Sequence, residues 1–452
     1  MTIFALSTAP GRAAIAVIRV SGPAAGGALA ALAGGLPAPR RAVLRRLNDP
    51  RSGATLDRAL VLWLPGPASE TGEDMAELHV HGGRAVAVAV LAALARLPGL
   101  RPAGPGEFAR QAFANGRLDL TAAEGLADLI EAETEAQRAQ ALDQLEGELG
   151  RVYDGWRADL IDAMAGLEAA IDFPDEDLPT QTLVRALDRI ATLGRAIHAH
   201  LDDGNRGERL RDGFRVAIVG PPNVGKSSLM NRLARRDAAI VAPEPGTTRD
   251  IVEVHLDLGG LPVTVADTAG LRETAGSVER EGIARARRWA GSADLKILIG
   301  DSEHYRTEPP DLGPGPGLGI APDRDTIQVV NKIDLGLPTR LPRGVQAISC
   351  LTGEGLDALL SVVVERLSAK AWRGAAPPLT RARHRALLEQ AAEALERAHG
   401  AAAPELVAPE LVAPELVAED LRLAAYALGR ITGRVDVEDV LDRLFASFCI
   451  GK

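Results

Sequence analysis

Aromatic residues make up only 3% of the 452 residues, so any core must be built from Ala, Leu, Val and Ile. Cysteine is rarer still: Cys350 and Cys449 are the whole complement. That excludes a disulfide framework and points to a reducing compartment. Positive charge is in deficit, with a net formal charge of −10. A broad basic face gripping nucleic acid is excluded, so any such contact must be local or shared with a partner. Long apolar runs are missing too: AVAVAVLAALARL (85–97) is too short to span a bilayer. The N-terminus, MTIFALSTAPGRAAIAVIRV, has no basic stretch leading into a continuous apolar one, so no signal peptide is expected. A cytoplasmic protein without a membrane partner is the expectation.

What is present is ordinary globular material, 46% hydrophobic and 25% charged, with room for about three domains of ~150 residues. Residues 1–118 mix short apolar strands with Gly/Pro turns: AIAVIRV, ALVLWLPG and MAELHVHGG all end in turn residues, which predicts an α+β domain. Residues 119–213 change character. An apolar row Leu142, Leu145, Leu149, Val152, Trp156, Leu160, Met164, Leu167, Ile171 predicts one face of a long helix, stopped at Phe173-Pro174. A second row, Leu183, Leu187, Ile190, Ile197, Leu201, predicts another helix ending near Gly204. Residues 214–372 alternate strands (FRVAIVG, IVEVHLDL, LPVTVAD, LKILIG, TIQVVNKID, VQAIS) with helices, the pattern of a doubly wound α/β domain. The Pro/Gly-rich stretch 309–322 reads as a surface loop. Residues 373–452 return to helical periodicity and should partner 119–213. The chain is then multidomain: an α+β domain, then an α-helical domain interrupted by an inserted α/β P-loop domain. The tract 404–418 repeats PELVA three times, and a proline every five residues argues against a regular helix through it, so it reads as an expanded connector.

Chemistry concentrates in the inserted domain. Gly220-Pro-Pro-Asn-Val-Gly225-Lys226-Ser227 follows a strand and opens the helix SSLMNRLARR. Its glycines let backbone N–H groups close around a phosphate, Lys226 neutralises phosphate oxygens and Ser227 can ligate Mg²⁺. Asp267-Thr-Ala-Gly270 stands where an aspartate holds Mg²⁺ through water and a glycine senses the terminal phosphate. Asn331-Lys332-Ile333-Asp334 offers a carboxylate, Asp334, that can accept from guanine N1 and the 2-amino group, which adenine cannot supply. Ser349-Cys350-Leu351 closes the base pocket, and Thr248 in Gly246-Thr247-Thr248-Arg249-Asp250 can meet Mg²⁺ and the γ-phosphate. Val224, Gly225 and Ser228 complete the GTP contacts. Four motifs in order imply a GTP-hydrolysing switch. Leu271 stands where Ras-like enzymes place a water-orienting glutamine. Glu279 could orient water through a second water, or be a solvated residue of the switch; Arg272 is carried beside it as a catalytic candidate. His79 and His81 share one face of a strand, but no third metal ligand follows in Gly82-Gly83, so they read as structural or adjacent to a ligand.

The GPPNVGKSSL, PGTTRD, DTAGLRE and NKID motifs inside a helical domain, behind an N-terminal α+β domain, resemble the tRNA-modifying GTPase family MnmE, also called TrmE. The terminal Phe448-Cys449-Ile450-Gly451-Lys452, Asn115-Gly-Arg-Leu-Asp-Leu120 and Ala9-Pro-Gly-Arg12 are the more specific features, and the likeness covers nearly the whole chain. It implies a flavin-dependent partner, MnmG, with which a heterotetramer adds an aminomethyl-type group to C5 of the wobble uridine of certain tRNAs. It implies a 5-formyl- or methylene-tetrahydrofolate site using Arg19, Glu77, Arg117 and Lys452, and a homodimer formed through the N-terminal domain. Arg117 stands where many relatives have lysine, which keeps the charge and changes the donor geometry. It also implies K⁺ activation, with Asn223, Ala242, Glu244 and Thr247 around the ion, which would supply the charge an arginine finger supplies elsewhere. Cys449 is a candidate nucleophile, provided positive charge such as Lys452 lowers its pKa; the plain alternative is a small hydrophobe. A ribosome-assembly type of GTPase switch is the rival reading, since such proteins share GPPNVGKSSL and PGTTRD but carry basic RNA-binding appendages.

Overall fold

The computed structural model describes residues 1–172, 180–235, 239–240, 253–267, 289, 291–303, 323–336, 341, 344–370, 377–402, 414–435 and 437–451. The chain forms two compact units, residues 1–127, 143–194 and 387–452 in one, residues 128–142 and 195–386 in the other.

In the first unit, strands β1 (Thr2–Leu6), β2 (Ile15–Ser21), β3 (Val43–Asn48), β4 (Thr55–Leu64), β5 (Met75–His81) and β6 (Leu100–Pro102) form a sheet ordered β3-β4-β5-β2-β1-β6. Neighbours are antiparallel except β1 and β6. Apolar residues alternate along β2, β4 and β5, and the buried set Ile18, Val20, Val61, Leu78 and Val80 meets helices Ala25–Ala33 and Arg84–Ala95 on one face. The other face is covered at β1, where Phe108 of helix Glu107–Ala114 packs on Ile3 and Ala5. Strand β3 escapes a sequence reading because Leu44, Arg45 and Arg46 are all exposed and no period of two is visible.

The long helix expected from Leu142 is two helices, Glu135–Leu145 and Glu148–Asp172. Gly147, at φ +82, takes the left-handed conformation that ends the first. The buried row of the second is Leu149, Tyr153, Leu160, Ala163 and Leu167. Helix Pro414–Thr432 packs along it. That helix begins with the third PELVA copy, so the expectation that the tract is a connector throughout fails there. Pro414 occupies the first helical position, where its missing N–H costs nothing, and Val417 is buried. The first two copies, and the stretch 309–322, lie outside the described residues.

The terminal helix Glu438–Ser447 docks on helices Glu107–Ala114 and Leu120–Glu131 through Leu441, Leu444, Phe445 and Phe448. The residues beyond it are anchored too. Ile450 bridges Pro105, and Gly451, at φ +98, lies so close to β1 that a Cβ there would sit 2.5 Å from the Leu6 carbonyl oxygen.

In the second unit, β7 (Phe214–Val219), β8 (Ala239–Ile240), β9 (Glu253–Leu258), β10 (Leu261–Asp267), β11 (Leu295–Asp301), β12 (Thr326–Asn331) and β13 (Gln346–Ala347) form a sheet ordered β13-β12-β11-β7-β10-β9-β8. The strands from β13 to β10 are parallel, and β9 and β8 are antiparallel additions. β7, β11 and β12 are nearly continuous apolar runs because both faces are covered. Leu229 and Leu233 of helix Lys226–Ala234, with Leu359 and Val363 of helix Leu356–Ser368, cover one face. Trp289 and Ala293 lie against Ala217, Val219 and Leu298 on the other.

An inserted domain needs its entering and leaving chains side by side. Here ion pairs hold them. Arg385, leaving, reaches Asp203 Oδ1 at 2.6 Å and donates to the Leu201 carbonyl at 2.9 Å. Asp128 Oδ1 accepts from both Arg211 (2.9 Å) and Arg381 (2.7 Å).

Candidate functional site

The sheet order places β7 between β10, which follows it in sequence, and β11, which is reached by crossing to the other side. Such a switch point is where ligands bind in open α/β sheets, beyond the carboxyl ends of the strands. The loop 220–225 leaves β7 there and feeds helix Lys226–Ala234, whose N-terminal N–H groups favour an anion. Two glycines are required by close approach. A Cβ on Gly220 would lie 2.2 Å from the Ile299 carbonyl oxygen, and one on Gly225, at φ +103, would lie 2.2 Å from Asn331 Nδ2. Asn223 is also left-handed, at φ +64, and exposed. Lys226 is buried, and its Nζ donates to the carbonyls of Gly220 (2.8 Å) and Pro221 (2.6 Å), folding the ammonium over the loop. Val224 is buried beneath the loop, while Ser227 and Ser228 face solvent.

The base side is tied to this loop by one residue. Asn331, 2% exposed, donates from Nδ2 to the Val224 carbonyl (2.8 Å) and accepts at Oδ1 from the Cys350 N–H (3.0 Å). Three sequence-distant motifs thus share one amide side chain. Ser349 donates its hydroxyl to Asp334 Oδ1 at 2.5 Å, orienting the carboxylate. Lys332, at φ +64, stretches to Asp301 Oδ2 at 3.1 Å. Leu351 is exposed, and its carbonyl accepts from Arg232. Burial, with help from the Asp334 charge, pushes the Cys350 thiol up to about 11, so it stays protonated and packs as an apolar group. Asp301 was invisible in the sequence: it ends β11 without any motif of its own.

Of the remaining nucleotide and ion candidates, Ala242, Glu244, Thr247, Thr248, Gly270, Arg272 and Glu279 lie outside the described residues. The backbone of Asp267 ends β10, opposite Ile218, but its side chain also lies outside them.

A second polar cluster occupies the open face of the first sheet. Arg19 on β2 stands opposite Glu77 on β5 and donates from Nε to Glu77 Oε1 at 3.0 Å. The other Glu77 oxygen meets His79 Nε2 at 2.9 Å. Arg19 also pairs with Glu70 at 3.0 Å. The segment 66–74 that carries Glu70 is held by Thr71, whose hydroxyl meets Ser21 Oγ at 2.7 Å and whose carbonyl accepts from Asn115 at 2.8 Å. Gly72 in that segment lies against Asn115 and the stem of Arg117, which is exposed. Arg19, Glu77 and Arg117 are therefore gathered around one loop, and Glu70, which carried no sequence signal, joins them. His81 points its Nδ1 to Asp57 at 2.8 Å; among the described residues no three side chains form a metal site. Cys449 is exposed in the same unit, two residues before the pinned Gly451, and Lys452 lies outside the described residues.

A glycine-rich loop at the switch point of a doubly wound sheet, laced to an Asn-Lys-Ile-Asp turn, defines a P-loop guanine-nucleotide-binding protein. Residues 120–449 match the family profile described as MnmE helical domain, and residues 2–117 match GTP-binding protein TrmE N-terminus. The chain is 57% identical to the tRNA modification GTPase MnmE of Parvibaculum lavamentivorans over 456 residues, covering 100% of both chains. It is 55% identical to the protein of the same name from Rhodospirillum rubrum, covering 100% of this chain and 99% of that one. Of solved structures, Aquifex aeolicus Era is 26% identical over 40% of this chain and 66% of its own, at a TM-score of 0.26, too low to bear on the fold. The chain belongs to the MnmE (TrmE) family.

Proposed function

We propose that this chain is a potassium-activated GTPase that works with a flavin-dependent MnmG-like partner. Together they add a carboxymethylaminomethyl or aminomethyl group, by way of a tetrahydrofolate one-carbon unit, to C5 of the wobble uridine of certain tRNAs. The observation that carries the GTPase part is the single Asn331 amide joining the phosphate loop, the Asn-Lys-Ile-Asp turn and the Ser-Cys-Leu loop. In this reading Lys226 leaves its carbonyl partners for the β- and γ-phosphates, and Ser227 offers the hydroxyl that Mg²⁺ takes, with Thr248 and Asp267. Asp334, oriented by Ser349, selects guanine. Asn223, Ala242, Glu244 and Thr247 would hold K⁺, whose charge takes the place of an arginine finger. Glu279 and Arg272 serve the attacking water.

The second cluster suits a folate. A guanidinium matches a glutamate tail, and a carboxylate matches the amidine-like edge of a pterin. Both oxygens of Glu77 are already hydrogen-bonded by Arg19 and His79, which holds the carboxylate in place to receive that edge. Arg117 and Lys452 complete the set, and Cys449 is the candidate nucleophile. A cytoplasmic homodimer, joined through the N-terminal domain, is part of the same reading.

Turnover of GTP should be several-fold faster in KCl than in NaCl at matched ionic strength, and Asn223→Ala should remove the difference while GTP still binds. Equal rates in the two salts would sink the potassium reading. Mass spectrometry of wobble uridine from cells carrying Cys449→Ser tests the transfer step: loss of modification with GTP hydrolysis intact supports the nucleophile, persistence makes Cys449 structural.

A further inference from the structure

The chain is acidic overall, but one hairpin is not. Between Arg40 and Arg58 lie six arginines and two aspartates. The segment is the edge of the first sheet: β3, the turn 49–54 and the start of β4. Both aspartates are engaged away from the arginine side chains. Asp49 accepts from the backbone N–H of Arg51 and pairs with Arg96, and the two oxygens of Asp57 take the N–H and Nδ1 of His81. Arg40 donates to the Ala68 carbonyl. The guanidinium groups of Arg41, Arg45, Arg46, Arg51 and Arg58, all exposed, have no carboxylate partner among the described residues.

Two of them are set against each other. Arg46 and Arg58 are directly opposed across the β3–β4 ladder, so both point to the same face. Like charges opposed across strands destabilise a sheet, and a neutral pair would have removed that cost. Charge on an edge strand deters pairing with another chain, a role that Arg51 in the turn and Arg58 on the inner strand β4 do not serve. Five unpaired arginines on both faces and the turn of one hairpin match instead an anion that wraps around it and carries its charge at intervals. Guanidinium is the side chain that pairs with phosphate in bidentate fashion.

We propose that this hairpin is the local contact through which the chain grips the phosphate backbone of tRNA. The inference rests on the reading that tRNA is the substrate, and it locates the contact on the outer edge of the N-terminal sheet. The contact is electrostatic, so it positions the RNA and reads no bases.

The test is the affinity of the full-length chain for an unmodified tRNA transcript over a range of KCl concentrations. The double variant Arg46→Gln/Arg58→Gln should bind ~10-fold or more weakly, with a log K against log salt slope shallower by about 1.5, since each lost phosphate contact removes ~0.7–0.9. Arg46→Lys/Arg58→Lys should keep the parent slope. The melting temperature and far-ultraviolet circular dichroism should match the parent in both, which shows that the first sheet is intact, and GTP turnover without RNA should be unchanged. Unchanged affinity and slope in the glutamine variant overturn the hairpin assignment while leaving tRNA as substrate. Loss of binding to vesicles of anionic phospholipid with tRNA binding retained overturns it in favour of a membrane contact. A parent chain that binds no tRNA at any salt takes down the substrate reading and the hairpin with it.

Discussion

The two sheets put their chemistry in different places. In the seven-stranded sheet the central strands are buried on both faces, so no functional side chain fits along them, and the described candidate groups sit at or just past the carboxyl ends of strands, in the loops and the first helical turn that follow. In the six-stranded sheet one face is open, and Arg19, Glu77 and His79 sit in mid-strand, on alternate residues of β2 and β5. The first arrangement compresses a site into short contiguous words such as Gly225-Lys226-Ser227 and Asn331-Lys332-Ile333-Asp334. The second scatters it across the register of neighbouring strands, where no single stretch of sequence spells it.

The contrast breaks most sharply at Asn331. Replacing it by Ala leaves the Val224 carbonyl and the Cys350 N–H unpaired in a buried place. At ~1–1.5 kcal/mol for each hydrogen bond, GTP affinity should fall ~30–150-fold, with a lower melting temperature, both read by calorimetry. Arg19→Ala should do the reverse. Its loss breaks ion pairs to Glu77 and Glu70 but no backbone hydrogen bond, so it should cost only about 1 kcal/mol of stability, while weakening tetrahydrofolate binding ~10-fold or more, measured by isothermal titration. A drop in stability as large as that of Asn331→Ala would mean the open face is structural after all.

The legible part follows the same division. The parallel inserted strands and the nucleotide loop could be read because parallel strands give unbroken apolar runs and phosphate chemistry needs glycine at fixed spacing, whereas the two-residue β8 and the order of strands in the sheet carry no such signal. The break at Gly147 could not be, since Leu145 and Leu149 keep helical spacing straight across it. Nor could β3, whose residues are mostly exposed, or Glu70, which reaches Arg19 from a loop 51 residues away in sequence. The third PELVA copy was misread because a proline forbids the middle of a helix but suits its first turn.

A smaller effect is expected at Gly451→Ala. The added Cβ meets the Leu6 carbonyl at 2.5 Å in a left-handed backbone, a strain of ~1–3 kcal/mol. Amides of 447–451 should exchange faster in deuterium, while the exchange of β7, β11 and β12 stays as in the parent. The smallest effect is acidic. Burial, abetted by Arg385 and opposed by Asp203, lowers the pKa of His200 below its ordinary 6.5. The fold therefore prefers the neutral ring. That contribution is complete above pH ~6.5 and is lost as pH falls through the folded value. His200→Gln should flatten the decline in melting temperature between neutral pH and mild acid, and an unchanged decline would assign it to other groups.

The pinning of Ile450 and Gly451 against Pro105 and Leu6 has a consequence for biosynthesis. The first unit is assembled from three stretches of chain, and the last of them leaves the ribosome last. Helices Glu107–Ala114 and Leu120–Glu131 emerge early but must wait, with Phe113, Leu120 and Ala123 uncovered, until Leu441, Phe445 and Phe448 arrive. The inserted sheet between them has all its strands several dozen residues sooner. The second sheet thus has all its strands before the stretch that completes the first unit is made.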